Sequence, residues 1–368
     1  MPVSVEKESG ASSRSKGVRM AQTGRPMGIE ALEAFLLGRT EAGAVPGLSV
    51  SVVKDDRLAW VKGFGVADLA TGSPATPQTS YLWFSMTKIV TATAVLRLAD
   101  SGKLDLDAPA DEYFRGFKVV SQPMPVTVRQ LLNHSSGLAN PLPIRWVRPA
   151  DAPAPDSGAF VGRLLAKHRK LKSVPGERAS YSNLGYLVLG EVISEVAGTS
   201  YEEHVREEIL SPLGMARTGF SYPEPAKDGA ATGYQPLWRP LTPLFRAALP
   251  RGVVGPRQGR YVSFDRFYVK GPAYGGLVGG VEEAARFVML HLNGGQVNGV
   301  RLLSAESVVE MRRIMPKGGK RDFGLGWFRS HEAASHFRRA PWRRGWLLER
   351  DANLPGGVGG RRSYGQHH

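Results

Sequence analysis

A serine and a lysine three residues apart begin a long apolar stretch and could act as a nucleophile and its base. Ser85 and Lys88, in the run SMTK, precede IVTATAVLRLAD, whose spacing predicts a buried helix that ends near Gly102. Residues i and i+3 share one face of a helix, so the hydroxyl and the amine can meet. Burial would lower the pKa of the lysine and leave its amine able to take the serine proton.

The same S-x-x-K spacing recurs elsewhere in the chain, so the pattern alone carries little information. Ser13 and Lys16 lie in a polar leader, and Ser51 and Lys54 lie in a predicted strand. Side chains three residues apart on a strand point to opposite faces. The helical context therefore singles out Ser85.

A second motif, Tyr181-Ser182-Asn183, lies directly before another predicted buried helix, Leu184–Ala197. A phenol between the lysine and the serine can relay a proton, and the amide can bind substrate or hold the lysine. The alternative is a tyrosine followed by capping residues at a helix start, which is common. Taken alone, the motif favours the capping interpretation.

These motifs occur together in one order. S-x-x-K is followed by LLNHSSGL, by Y-x-N about ninety residues on, and then by GPAYGGLVGGVEEAARF and FGLGWF. With this order the sequence resembles the serine β-lactamase and penicillin-binding-protein superfamily. The tyrosine of Y-S-N places the resemblance on the branch of class C β-lactamases, D-alanyl-D-alanine carboxypeptidases and family VIII carboxylesterases. It covers roughly residues 28–336.

The resemblance implies a role for each motif residue. Ser85 would be the acylated nucleophile, Lys88 its activating partner and Tyr181 the general base, and Asn183 would line the site. The implied substrate is a small-molecule ester or amide, with no cofactor and no metal. His134 matches a family position near a turn, for which we expect a structural role.

The order of predicted elements indicates an α+β fold, an antiparallel sheet flanked by helices with an inserted all-helical domain. A β-hairpin is predicted near residue 55, Phe323–Phe328 is predicted to be a strand, and 221–270 shows no clear period. The predicted divisions are a disordered leader (1–27), a sheet part (about 28–80 and 271–336), a helical part (about 81–270) and an altered basic tail (337–368).

Composition excludes several classes of protein. The 368 residues contain no cysteine, which rules out a disulfide-stapled module and a thiolate metal site. The formal charge is +15, yet the body of the chain has no basic block, so no nucleic-acid partner is predicted. No apolar run reaches membrane-spanning length, and 1–27 lacks a signal-peptide pattern, so we expect a cytoplasmic protein without a membrane partner. The oligomeric state stays open.

The absence of a signal peptide favours a carboxylesterase for short-chain esters over a β-lactamase or a D-alanyl-D-alanine carboxypeptidase. An aromatic stretch could form an apolar acyl pocket or could be ordinary packing. Its members are Trp238, Phe245, Phe264, Phe267 and Tyr268. An alternative of another class is a non-catalytic, penicillin-binding-like protein that binds a ligand.

The resemblance stops where the family carries its third motif, K-T-G or H-x-G on a strand, whose backbone N–H completes the oxyanion hole. Residues 337–368 instead hold seven arginines and no lysine, without strand alternation. We hypothesise a frameshift beginning near Phe337, since reading one base later permits an H-x-G strand and two further strands. The C-terminal strands would then be lost or altered. A divergent basic tail is the alternative.

The coding DNA across codons 330–368 tests this hypothesis. Loss of one oxyanion-hole donor typically costs about 2.7–4 kcal/mol in catalysis. Loss of core burial adds to this cost, so the chain as written should be poorly active and prone to aggregate. A shifted frame without such strands would refute the frameshift. Equal turnover of p-nitrophenyl butyrate by this chain and a frame-restored one would contradict the predicted loss of activity.

Overall fold

Helices and short antiparallel strand pairs alternate along the chain, as the α+β prediction required. The computed structural model describes residues 28–54, 56–120, 124–223, 229–237, 247–315 and 321–330. The helices are α1 (Ile29–Glu41), α2 (Thr87–Asp100), α3 (Ala110–Tyr113), α4 (Val128–Leu132), α5 (Ser157–Lys167), α6 (Asn183–Ala197), α7 (Tyr201–Val205), α8 (Val281–Leu292) and α9 (Ala305–Met311). The predicted leader and basic tail, and with the tail the frameshift hypothesis, lie outside the described residues.

The strands form several small antiparallel sheets. They are β1 (Gly47–Lys54), β2 (Arg57–Gly65), β3 (Tyr81–Leu82), β4 (Val147–Pro149), β5 (Gly233–Pro236), β6 (Val254–Gln258), β7 (Tyr261–Phe264), β8 (Phe267–Val269), β9 (Val278–Gly279), β10 (Gln296–Val297), β11 (Val300–Arg301), β12 (Arg321–Phe323) and β13 (Phe328–Ser330). Antiparallel pairs join β1 to β2, β3 to β9, β4 to β8, β10 to β11 and β12 to β13, and β7 lies between β5 and β6. The predicted N-terminal hairpin is therefore confirmed as β1–β2.

Helices α2 and α6 pack against each other and form the centre of the core. Most residues of α2 are buried, and so are the first eight of α6. The hydroxyl of Ser182 accepts a hydrogen bond from the N–H of Gly185 at 3.2 Å, which starts α6. Gly198, at φ +71°, ends it in the left-handed conformation that glycine adopts without strain. Apolar burial thus fixes two helices whose N-terminal ends carry the predicted motifs.

One glycine lets α6 approach the turn at Pro272–Tyr274. A Cβ on Gly190 would lie 2.7 Å from the Cβ of Ala273, too close for two carbon atoms. The absence of that side chain brings the backbone of Tyr274 near α2. The turn is thereby placed so that the carbonyl of Tyr274 contacts Lys88.

Two expectations for local structure need correction. Residues 323–328 do not form one strand, because β12 ends at Phe323 and β13 begins at Phe328. Gly326, at φ +81°, turns the chain between them and lies against α2. The stretch 221–270 is not without regular structure, since it contains β5 to β8. These strands have three to five residues each, too few to give a clear period in the sequence.

The aromatic stretch contributes to packing more than to a pocket. Phe264 and Phe267 are buried in the main core, which favours the packing alternative for both. Tyr268 is half-buried and lies against the ring of Tyr222. Trp238 and Phe245 lie outside the described residues. Within the described ranges, every helix is too short or too polar to cross a bilayer.

Candidate active site

Ser85 lies in a single 3-10 turn, Phe84–Met86, that leads into α2, and its side chain is exposed. Phe84 has a φ of +48°, a conformation that costs energy for a bulky residue. Strained residues of this kind persist where surrounding packing holds them, and they are frequent at active sites. Here the ring of Phe84 packs on Phe267, with ring centroids 6.2 Å apart. The turn therefore presents Ser85 to solvent on a fixed backbone.

The structure brings Ser85, Lys88 and Tyr181 together at the start of α2. The Oγ of Ser85 and the phenol oxygen of Tyr181 are 2.6 Å apart, and either can be the donor. The Nζ of Lys88 donates to the Oγ of Ser85 at 3.2 Å. The hydroxyl thus contacts both groups that could receive its proton. The geometry that the motif spacing required is present, while the catalytic roles remain predictions.

Lys88 is almost completely shielded from water, with 3% of its surface exposed. Its Nζ donates a second hydrogen bond, of 2.7 Å, to the carbonyl oxygen of Tyr274. The centroids of three tyrosine rings lie 5.0 to 5.5 Å from the Nζ, and they belong to Tyr181, Tyr186 and Tyr274. The amine therefore sits in a largely aromatic cage that is open only toward Ser85.

Two effects act on the protonation of Lys88 in opposite directions. Ring faces attract an ammonium ion, which would raise the pKa. Loss of hydration disfavours the charged form and is the larger effect, so burial holds the pKa of Lys88 well below its ordinary value of 10.5. A neutral amine next to Ser85 can accept a proton, whereas an ammonium ion cannot.

His134 is the functional candidate whose position the sequence did not reveal. We expected a structural role, and nothing in the sequence placed this residue near Ser85, yet its ring lies against Tyr181, with centroids 4.6 Å apart. Burial holds the pKa of His134 well below its usual range. The place of LLNHSSGL between the S-x-x-K and Y-S-N motifs was the only signal in the sequence. Nothing in the sequence indicated that the carbonyl of Tyr274 would contact Lys88, because any residue type can supply a backbone carbonyl.

Asn183 is the first residue of α6 and is buried. Its backbone N–H donates to the Oδ1 of Asn140 at 3.0 Å. Its own Oδ1 is buried without a hydrogen-bond partner in the described part of the chain. A buried, unpaired amide oxygen suits a role in binding a donor group of a substrate. That role remains a prediction.

Two adjoining clefts lie beside the segment that carries Tyr181. A cleft of about 310 Å³ is lined by Ser180, Asn140 and three basic side chains, those of His168, Lys172 and Arg178. A second cleft of about 330 Å³ shares Pro141 and His168 with the first and is largely apolar. Its apolar walls include Leu142, Ile144, Trp146 and Leu164, and Arg145 and Lys167 also line it. The surface near the site thus offers a basic and an apolar region side by side.

Comparison with known proteins gives one family. A family model described as Beta-lactamase matches residues 32–365. Protein flp of Staphylococcus aureus (strain NCTC 8325 / PS 47) is 30% identical over 209 residues, which cover 53% of this chain and 39% of that protein. The uncharacterized protein MT1414 of Mycobacterium tuberculosis (strain CDC 1551 / Oshkosh) is 31% identical over 307 residues, or 78% of this chain and 72% of the relative. The chain thus spans about two fifths of the length of the first of these relatives.

Solved structures show the same fold. The octameric penicillin-binding protein homologue from Pyrococcus abyssi superposes with a TM-score of 0.65 at 30% identity, covering 82% of this chain and 65% of that one. The hydrolase EstCE1, with promiscuous acyltransferase activity, has a TM-score of 0.64 at 22% identity and covers 82% of each chain. D-amino acid amidase from Ochrobactrum anthropi SV3 has a TM-score of 0.63 at 22% identity, covering 81% and 80%. At 22% identity these last two support the fold alone.

Replacing Lys88 by methionine should make the folded protein more stable at pH 7. In the unfolded chain the lysine is charged at this pH, whereas the buried amine is held toward its neutral form. Each pH unit below 10.5 over which the folded amine stays neutral costs about 1.4 kcal/mol. The wild-type free energy of unfolding should therefore rise toward pH 10.5, and its deficit relative to Lys88→Met should shrink.

Denaturant unfolding of both proteins at several pH values measures this difference. Lys54→Met, at an exposed position in β1, serves as the control and should change stability by less than about 0.5 kcal/mol. A Lys88→Met variant that is less stable than the wild type at pH 7, with the same dependence on pH, would indicate a buried ammonium ion.

Proposed function

The chain belongs to the Beta-lactamase family, whose model matches residues 32–365, and from this premise we propose that it is a serine hydrolase that forms an acyl-enzyme at Ser85. The observation that carries the proposal is the pair of hydrogen bonds at one hydroxyl. The Oγ of Ser85 contacts the phenol of Tyr181 at 2.6 Å and the amine of Lys88 at 3.2 Å. A nucleophile within reach of a base that is itself held in place is the arrangement that covalent catalysis needs.

The acylation step follows from this geometry. The Oγ of Ser85 attacks the substrate carbonyl carbon, and its proton passes to the amine of Lys88, directly or through the phenol of Tyr181. The tetrahedral intermediate then loses the alcohol or amine, which leaves with a proton returned from the same groups. In the second half-reaction, water attacks the acyl carbon and gives its proton to the same groups. The acyl–Oγ bond then breaks, the Oγ of Ser85 takes that proton back, and the acid is released.

We favour short-chain esters as substrates because of the apolar cleft. Trp146 lines this cleft and packs edge-on against Tyr274, with ring centroids 5.6 Å apart. Tyr274 in turn holds Lys88 through its carbonyl. An apolar surface connected in this way to the site is suited to an acyl chain. Phe264 and Phe267 do not contribute to such a pocket, because they are buried in the core.

The basic cleft supports a second candidate, hydrolysis of substrates that carry a carboxylate, such as β-lactams or peptides ending in D-alanine. His168, Lys172 and Arg178 line the cleft, and none of the three forms an ion pair with another described residue. Unpaired cations around a cleft attract an anionic group. An uncharged short-chain ester has no group that uses them.

Labelling by a fluorophosphonate tests the nucleophile. Ser85→Ala should abolish labelling, and Tyr181→Phe should slow it about 10²- to 10⁴-fold, because the phenol no longer relays the proton. Ser51→Ala is the matched control, since Ser51 begins an S-x-x-K on β1 and should leave labelling unchanged. Labelling that survives Ser85→Ala would refute the proposal, and a folded wild type that is never labelled would favour the non-catalytic alternative.

Substrate preference separates the two candidates. We expect turnover of p-nitrophenyl butyrate to exceed that of nitrocefin and of a peptide ending in D-Ala-D-Ala. In a Lys172→Ala/Arg178→Ala double variant, the KM of the uncharged ester should not change, because the ester has no anionic group that either cation could contact. Efficient turnover of nitrocefin or the peptide, with a KM that rises in the double variant, would instead favour the second candidate.

A further inference from the structure

The contacts of His134 with Tyr181 and its two sequence neighbours, called the clamp from here on, carry an inference that rests on the proposed function. We infer that His134 is a positioning residue, which holds the phenol of Tyr181 in the orientation that proton transfer with Ser85 requires. His134 lies 47 residues before Tyr181 in the chain, so only the fold brings them together.

Two hydrogen bonds from His134 bracket Tyr181 along the backbone. The carbonyl oxygen of His134 accepts from the N–H of Ser180 at 2.7 Å. Its ring Nδ1 accepts from the N–H of Ser182 at 3.1 Å. One residue therefore holds the N–H groups of both sequence neighbours of Tyr181, which limits movement of the backbone that carries the phenol.

The imidazole ring restrains the side chain as well as the backbone. It lies against the ring of Tyr181 at 4.6 Å, and the rings of Tyr186 and Phe323 pack on it at 5.1 and 4.9 Å. Tyr186 is itself fixed, since its hydroxyl donates to the carbonyl of Leu132 at 2.8 Å. The tyrosine ring thus rests on a ring that other buried groups hold in place.

The backbone of His134 adopts an uncommon conformation that makes this clamp possible. Its φ is +62°, in the left-handed region that few non-glycine residues enter, although asparagine, aspartate and histidine do so more often than the others. The preceding Asn133 stabilises the turn, because its Oδ1 accepts from the N–H and the hydroxyl of Ser135 at 3.1 and 2.7 Å. Strain of this kind is retained where the surroundings require it.

The hydrogen bond to Ser182 also fixes the state of the imidazole. Because Nδ1 accepts, a neutral ring carries its proton on Nε2. A second proton would set an N–H against the N–H of Ser182. The titratable groups that face the ring are Lys88, Tyr181 and Tyr186. None is an acid that would stabilise an imidazolium ion, so the clamp works with a neutral histidine.

Two variants separate the parts of the clamp. His134→Asn suits the left-handed backbone and keeps an acceptor at the δ1 position, although it removes the ring. His134→Phe keeps a ring and removes the acceptor. We expect His134→Phe to lower the acylation rate constant about 10- to 100-fold with little change in KM, because a misplaced catalytic group costs rate more than binding. His134→Asn should recover part of that loss.

The test measures fluorophosphonate acylation of Ser85 in a cycle of His134→Phe and Tyr181→Phe, with thermal unfolding of every variant. If His134 acts through Tyr181, His134→Phe should cost rate in the wild type and almost none in Tyr181→Phe. His291→Asn is the matched control, since His291 is also buried against aromatic rings, those of Phe287 and Trp327. It should lower the unfolding temperature and leave the rate of the folded protein unchanged.

The outcomes distinguish this inference from the proposed function. A wild type that is labelled and a Tyr181→Phe variant that is slow, together with a His134→Phe rate equal to wild type, would overturn the positioning role and leave the hydrolase intact. Equal losses from His134→Phe in both backgrounds would also overturn it. A wild type that is not labelled would overturn the proposed function and the positioning role together.

Discussion

Removal of the Lys88 amine from water is the constraint on which the rest of the site depends. The amine sits among three tyrosine rings and donates to one carbonyl, that of Tyr274, and to the Oγ of Ser85. Burying a charge in such a place is costly, so the neutral form is favoured. Stability and proposed reactivity therefore oppose each other at this residue. The apolar packing of α2 against α6 supplies the burial that offsets the cost.

The site is assembled from chain segments that are far apart in the sequence. Ser85 and Lys88 begin α2, Tyr181 precedes α6, and Tyr274 belongs to a turn near β9. Gly190 allows this turn to approach α6, and His134, just after α4, holds the segment that carries Tyr181. The two buried helices α2 and α6 therefore each begin next to side chains of the site. The packing of the core thus sets the distances between the hydroxyl of Ser85, the amine of Lys88 and the phenol of Tyr181.

Much of this was accessible from the sequence, and the reason is physical. Apolar periodicity predicted the buried helices, and alternation predicted the β1–β2 hairpin. The placement of S-x-x-K at a helix start predicted that Ser85 and Lys88 would meet, and the resemblance to the superfamily implied that Tyr181 would join them. The strands between 233 and 269 were missed because they are too short to show a period. The turn at Gly326 was taken for part of a strand because its flanking residues are apolar and aromatic.

Two sets of contacts that hold the site could not be predicted. The carbonyl of Tyr274 and the clamp formed by His134 depend on tertiary packing, which residue types alone do not encode. The roles of Ser85, Lys88, Tyr181 and Asn183 in a reaction remain proposals, as does the nature of the basic tail. The family is established. Of the two clefts, the apolar one favours uncharged short-chain esters and the basic one favours substrates that carry a carboxylate.

The protonation state of one nitrogen tests the central claim most directly. In protein labelled with ¹⁵N-lysine, the Nζ resonance of Lys88 can be identified by its absence from Lys88→Met and followed by NMR as the pH is raised. The account predicts a titration midpoint well below the ordinary value of 10.5, with a neutral amine above that midpoint. A resonance that stays in the ammonium form up to pH 10.5 or beyond would contradict it.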